Sequence, residues 1–294
     1  MQVQDQLEIK PKNGNSTKPL LPAVLSLFDG MSCGQIALER AGIKYDEYYA
    51  SEIDKHAIKV AVKNYPKTKQ IGSVTEVKAV DLPKIDLLMG GSPCQGFSTA
   101  GKELNFDDER SKLFFEFVRL KNELNPEYWL LENVSMKKEF RDIISNFLGC
   151  EPVMINSSII TGQNRPRYYW TNISFTLPKN KNISVSEVLE IPNAEIGQPQ
   201  PYPRNYKELG LKRVERIEYR TDGKSNAIIT NSQKNLLKTD YGYRKLTPVE
   251  CEKLQTVPLN YTDCVTDSNR YKMLGNGWTV DVIAHILSFI PQSS

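Results

Sequence analysis

Histidine is nearly missing from this chain, with only His56 and His285 in 294 residues. The five cysteines, Cys33, Cys94, Cys150, Cys251 and Cys264, are scattered and form no C-x-x-C pair. Ligand spacings typical of zinc are therefore missing, and so is the framework of a small disulfide-stapled fold. The thiols fit a reducing compartment, where each needs its own explanation. Long apolar runs are also missing. None approaches the ~18 residues of a membrane span, and no charged-then-apolar leader opens the chain, so the expected place is inside the cell, away from any membrane.

What remains is a globular make-up, 39% hydrophobic and 25% charged. That suffices for one large domain, or one large and one small. The net charge of +3 says little until it is located. Residues 176–246 carry 13 Lys and Arg against 8 Asp and Glu, leaving 25 against 27 elsewhere. A local surplus of this kind fits either a solvated charged face or a surface for a polyanion. Residues 1–19, polar and broken by Pro11, Gly14 and Pro19, read as a flexible tail.

From Leu20 the chain alternates. A-V-L-S-L-F (Ala23 to Phe28), E-Y-Y-A-S (Glu47 to Ser51), I-D-L-L-M-G (Ile85 to Gly90) and Y-W-L-L-E-N (Tyr128 to Asn133) read as buried strands. Helices are expected from Gly34 to Gly42, from an Asp54 cap toward Tyr65, from Ser111 to Leu124, and from about Lys137 to Leu148. Short apolar strands separated by amphipathic helices predict an α/β fold, with an open, mostly parallel sheet covered on both faces. Ligands bind such sheets beyond the carboxyl ends of the strands, which makes the turns after each strand the candidate site.

Four of those turns carry chemistry. F-D-G-M-S-C-G (Phe28 to Gly34) allows close backbone approach and opens onto a helix N-terminus, although a plain turn would read the same. Glu52 follows the second strand, 22 residues beyond Gly30, where a carboxylate can grip ribose hydroxyls; any surface Glu could also stand there. The absence of G-x-G-x-x-G argues against a dinucleotide and leaves a nucleoside-containing cofactor. G-G-S-P-C-Q-G-F-S places Cys94 where a thiolate is favoured, and E-N-V places Glu132 at the end of an apolar strand. An inert thiol and a capping acid remain the plain alternatives. Burying a carboxylate is nevertheless costly unless it is paired or functional.

P-C-Q-G-F-S, E-N-V and Q-N-R-P-R-Y-Y-W (Gln163 to Trp170), in that order after F-D-G and S-E, resemble the ordered motifs of the DNA cytosine-5 methyltransferases. R-K-L-T-P-V-E-C-E-K-L-Q-T-V-P-L-N-Y-T (Arg244 to Thr262) and L-G-N-G-W-T-V-D-V-I-A-H-I-L (Leu274 to Leu287) are similar to that family's last two blocks. F-D-G, K-L-F-F-E-F and G-N-G-W-T-V lean toward the branch that includes the animal de novo enzymes. No chromatin-reading domain is attached, which suggests a stand-alone bacterial or phage version, working in the cytoplasm of a bacterium or an infected host.

The resemblance, which spans about residues 22–290, implies a Rossmann-like, S-adenosyl-L-methionine-dependent methyltransferase fold with a small target-recognition domain. Its parts would be a catalytic and cofactor-binding domain at 20–175, a recognition region at 176–243 and a motif-bearing part at 244–294, whose final helix returns to the catalytic domain. It assigns Cys94 to attack on C6 of cytosine, Glu132 to N3 and the exocyclic amine, and Arg165 and Arg167 to holding the base and steadying the catalytic loop. It assigns Phe28, Asp29, Gly30, Met31, Ser32 and Cys33 to the methionine and adenosine of S-adenosylmethionine, and Glu52 to the ribose. Ile53 and Val74 would face the adenine, with Leu113, Asn276, Gly277 and Trp278 completing the pocket. Ser73 departs from the pattern, standing where many relatives have an Asp that accepts from the adenine amine.

The implied partner is double-stranded DNA, read at a short sequence with the target base rotated out of the stack. A cognate restriction enzyme could accompany it. The recognition region agrees with the basic surplus: seven basic residues lie between Arg204 and Lys224, interleaved with Tyr202, Tyr206 and Tyr219. The stretch Ser225 to Asn235 is expected to bridge this region to the catalytic domain. Two other readings remain. A tRNA methyltransferase of the same fold would carry P-P-C-Q-P-F-T-R where this chain has S-P-C-Q-G-F-S. A silent accessory homologue would lose Cys94 or Glu132, and both are here. His56, His285, Cys150, Cys251 and Cys264 read as structural or incidental, and Cys33 as an unreactive lining residue.

Overall fold

Four strands foreseen in the sequence lie side by side at the centre of one sheet. The computed structural model describes residues 20–92, 109–199, 217–230 and 235–291. In chain order the elements are β1 (Leu20–Leu27), α1 (Cys33–Ala41), β2 (Lys44–Ser51), α2 (Lys55–Asn64), β3 (Lys69–Gln70), β4 (Leu87–Gly90), α3 (Glu109–Leu124), β5 (Tyr128–Val134), α4 (Lys138–Leu148) and β6 (Val153–Asn156). They continue as β7 (Gln163–Asn164), β8 (Pro166–Thr171), α5 (Val185–Leu189), β9 (Ile196–Pro199), β10 (Ile217–Tyr219), β11 (Ser225–Asn226), β12 (Leu236–Thr239), β13 (Gly242–Lys245), α6 (Pro248–Leu254), α7 (Asp267–Asn276) and α8 (Val280–Leu287).

The large sheet has the order β3-β2-β1-β4-β5-β8-β6. Neighbours from β3 through β5 are parallel, while β8 runs antiparallel to both β5 and β6. In the sequence, β8 shows only as part of the motif that contains Arg165 and Arg167. It is a strand because Tyr168, Tyr169 and Trp170 suit a pleated, buried surface, and because Pro166 stands at its first residue, where a missing amide is tolerated.

Both sheet faces are covered. On one, α1 and α8 pack together, and Ile36, Leu38, Val282, Ile283 and Ile286 belong to a single buried cluster. On the other, Phe114 and Phe117 of α3 and Ile144 and Leu148 of α4 meet Leu25, Leu27, Leu88 and Leu131 of the strands. The last helix therefore covers the first. Helix boundaries follow local chemistry: Asp54 accepts from the His56 amide at 2.9 Å to start α2, and Gly42, left-handed at φ 74°, ends α1.

A second, four-stranded antiparallel sheet of order β10-β9-β12-β13 takes all its strands from residues 196–245. β11 pairs with β7, which fastens this part of the chain to the strand region beside Arg165. No described helix is long and apolar enough to cross a membrane.

Leu130, fully buried, pairs with Met89 on one side and Thr171 on the other. Leu130→Ala is expected to lower stability by about 2–5 kcal/mol in urea unfolding, while Val80→Ala, at an 89% exposed position, changes it by less than about 0.5 kcal/mol.

Candidate functional site

The carboxyl ends of β1, β2, β4 and β5 open onto one cavity of about 920 Å³. Such a volume, near the top of the usual ~300–1,000 Å³ range for ligand pockets, holds more than one small group. The residues that line it come from both ends of the chain, from Phe28 to Trp278.

In the first half of the cavity, the backbone bends sharply after β1. Phe28 has φ 57°, a left-handed conformation that is costly for a bulky residue and persists where a site demands it. Gly30, at φ 61°, donates its amide to Glu52 Oε2 at 2.8 Å. Glu52 Oε1 accepts from the amides of Ile53 at 2.7 Å and Asp54 at 2.8 Å. Three backbone donors thus fix this carboxylate before any ligand arrives, and it keeps acceptor capacity for more. Beside it stand Phe28, Val74, Leu113 and Ile53, the last an aliphatic side chain left 77% exposed. Ser73 Oγ lies 2.8 Å from Thr75 Oγ1.

Asp29 is buried beneath this turn. Its Oδ1 accepts from Tyr48 Oη–H at 2.7 Å, whereas Oδ2 and the nearby Ser26 Oγ find no hydrogen-bond partner of good geometry. Burial raises its pKa from the usual 3.8 to about 6, more than its hydroxyl neighbours lower it, and Glu52 adds a smaller push in the same direction. Cys33 is buried as well, its thiol pushed up to about 12 by desolvation, which makes it unreactive.

In the second half, β4 runs out at Gly90 and Gly91. A Cβ on Gly91 would lie 2.8 Å from Trp278 Nε1 and 3.2 Å from Glu132 Oε2, so only glycine leaves both groups in place. Glu132, 8% exposed at the end of β5, is ion-paired through Oε1 to Arg167 Nε at 3.0 Å. The register that sets Val134 opposite Arg167 in β8 brings these groups together. Asn133 Nδ2 donates to Ser92 Oγ at 3.2 Å and reaches its carbonyl at 3.4 Å, which ties the end of β4 to β5. Arg165 is buried. Its Nη1 donates to the Ile228 carbonyl at 2.8 Å, and its Nη2 to those of Gly275 at 3.1 Å and Gly277 at 2.8 Å. Burial, with Arg167 beside it, pulls its pKa down to about 9, still a cation at neutral pH.

The cavity thus collects Phe28, Asp29, Gly30, Cys33, Glu52, Ile53, Ser73, Val74, Leu113, Glu132, Arg165, Arg167, Asn276, Gly277 and Trp278 of the expected residues. Met31 and Ser32 lie behind its wall: the Met31 carbonyl accepts from Tyr261 Oη–H at 2.7 Å, and Ser32 Oγ accepts from Gln35 Nε2 at 2.7 Å. Cys94 falls outside the described residues, together with Pro93, Gly96, Tyr202, Arg204 and Tyr206. Sequence reasoning missed Asp54 and Lys272 at the rim, joined at 2.6 Å, and Ile229 and Gly275 in the wall. In the sequence Asp54 shows only as a cap, and nothing local marks the others.

Four of the residues counted toward the basic surplus are already engaged, among them Lys238 with Glu195 and Arg244 with Glu250. Arg220 pairs with Asp222, and Lys224 Nζ donates to the carbonyls of Ser158 at 2.8 Å and of Ile183. Most of the remaining surplus lies outside the described residues. His285 contacts the Thr176 carbonyl at 2.7 Å and the rings of Phe175 and Phe289. Among the described residues no group of three or more His, Cys, Asp and Glu could hold a metal ion.

Comparison with known proteins bears on family and fold. The sequence profile described as C-5 cytosine-specific DNA methylase matches residues 23–209 and 179–292. Type II methyltransferase M1.ScrFI of Lactococcus lactis subsp. cremoris is 29% identical, over 88% of this chain and 75% of its own length. Type II methyltransferase M.Bsp6I of Bacillus sp. is 27% identical over 92% and 98%. Orphan methyltransferase M.SPRI of Bacillus phage SPR is 34% identical over 55% and 40%. In fold, the chain is similar to Entamoeba histolytica methyltransferase EhMeth, with a TM-score of 0.69 at 17% identity, covering 93% and 98% of the two chains.

The raised pKa of Asp29 sets a sign for pH dependence. A carboxyl whose pKa is higher in the folded state contributes most below its unfolded pKa of 3.8, and the contribution is lost as pH rises through about 6. Stability of the wild type relative to Asp29→Asn is therefore expected to decline between pH 4 and 7, by on the order of 2–3 kcal/mol, in paired denaturation curves.

Proposed function

The chain belongs to the C-5 cytosine-specific DNA methylase family and is a DNA cytosine-5 methyltransferase, and from that premise we propose that it modifies double-stranded DNA at a short specific sequence. The target cytosine would be rotated into the second half of the cavity, and S-adenosylmethionine would sit in the first. The observation that carries this reading is the Glu132–Arg167 pair, held beside Gly91 in the same cavity as the fixed Glu52 carboxylate.

The residues present fit that cofactor. Glu52 offers acceptors to the two ribose hydroxyls, and the exposed Ile53 and the buried Val74 offer apolar faces to a flat ring. Phe28, Gly30, Asn276 and Trp278 would enclose the methionine portion. When bound, the cofactor supplies an electrophilic methyl group on its sulfonium.

On the base side, C5 of cytosine is a poor nucleophile until something adds to C6. Cys94 would add its thiolate there, which makes C5 enamine-like. Glu132 would bind N3 and the exocyclic amine, and a proton held at N3 makes C6 a better electrophile. Arg167 would contact O2 while orienting Glu132. After transfer, loss of the C5 proton to a base expels Cys94. Flipping the base costs a few kcal/mol, which contacts along the DNA must offset.

We propose residues 20–175 with 244–294 as the catalytic part and 176–243 as the recognition region, the small sheet being its described scaffold. The type II names of two relatives support a cognate restriction enzyme as partner, and the orphan name of the phage relative supports a stand-alone role.

Purified protein with tritiated S-adenosylmethionine is expected to label mixed-sequence duplex DNA and not total tRNA, and bisulfite sequencing then gives the site. Cys94→Ser should abolish the label, and Glu132→Gln should lower kcat by about 10²–10⁴. Label in tRNA alone would move the assignment to RNA. No label in either, with the cofactor bound, would make the chain an accessory protein.

A further inference from the structure

The guanidinium of Arg165 is solvated by main-chain carbonyls of two separate segments. Ile228 belongs to the stretch that leads back from the recognition region, and Gly275 and Gly277 flank Asn276 in the cofactor wall. The two segments touch where Gly275 stands: a Cβ there would lie 2.2 Å from Thr230 N and 2.3 Å from the Ile229 carbonyl carbon. Gln163, fully buried, repeats the tie. Its Oε1 accepts from Ile228 N at 2.8 Å, and its Nε2 donates to Gln255 Oε1 at 3.2 Å, while Gln255 Nε2 donates to the carbonyls of Leu274 at 2.7 Å and Gly277 at 3.2 Å. Ile229 and residues 275–278 line the same cavity.

We infer that Arg165 is a positioning residue that couples cofactor binding to DNA binding by holding residues 225–230 and 275–278 as one docked unit. The inference rests on the cofactor and DNA halves proposed above. Its physical basis is the cost of a buried charge. If either segment moves away, the cation loses carbonyls that replace its water, so undocking one segment is penalised through the other. A ligand that orders residues 275–278 then favours the docked 225–230, and DNA held by the recognition region favours the cofactor wall. Linkage requires the two enhancements to be equal.

The test uses the full chain, S-adenosylhomocysteine as an unreactive cofactor product, and a fluorescent duplex carrying the sequence found by bisulfite sequencing. Each dissociation constant is measured with and without the other ligand. The wild type is expected to show about tenfold coupling, equal in both directions. Arg165→Lys and Arg165→Met, checked as folded by circular dichroism, should bring it below about twofold, because neither can bridge both segments. Should they not fold, Ile229→Gly, which loosens one segment and leaves the charge in place, must also reduce the coupling. Weaker affinities with coupling intact would mark Arg165 as merely structural and overturn the inference. So would a wild type that binds both ligands independently. A wild type that binds neither removes the functional reading itself, and the inference with it.

Discussion

A carboxylate at the end of a buried apolar strand has to be compensated, and in this protein the compensation dictates the arrangement around it. Glu132 lies at the carboxyl end of β5, and the cation that pairs with it, Arg167, comes from the antiparallel strand inserted between β5 and β6. Without β8 in that place the charge would remain uncompensated in a region of low polarity, at a penalty of several kcal/mol. Because Gly91 passes so close to the carboxylate and the Trp278 indole, the pair also fixes how β4 may end and how the last part of the chain must fold back.

The half of the cavity that contains Glu52 is preorganised by a different device. Glu52 is oriented by backbone amides rather than by a cation, which leaves its charge available to a ligand's hydroxyl groups. Ser73 fits this economy of charge. A short neutral hydroxyl engaged with Thr75 adds no third carboxylate next to Glu52 and the buried Asp29.

Much of this was legible in the sequence because it is local. The runs at Ala23 to Phe28, Ile85 to Gly90 and Tyr128 to Asn133 are apolar enough to be strands wherever they lie, and each ends in its own chemistry. Observed boundaries differ mostly by one to three residues at element ends, where fraying and pairing decide. The small sheet was not foreseen, since strands of three or four residues such as β10 and β12 leave little periodicity to detect. The partners of Arg165 were invisible for another reason: they are main-chain carbonyls 63, 110 and 112 residues away, and a carbonyl carries no signature in a sequence. A motif marks that an arginine is needed, not which backbone it will hold.

The packing of α8 on α1, with the bond from Tyr261 to the Met31 carbonyl 230 residues earlier, also bears on how the protein is made. A chain emerging from the ribosome exposes the Phe28 turn and Glu52 well before Trp278 and the helix that covers Ile36. Until then the cavity lacks a wall and the first helix lacks its cover. Nascent chains and fragments that stop before α8 leave Ile36 and its neighbours on α1 without the apolar surface that buries them.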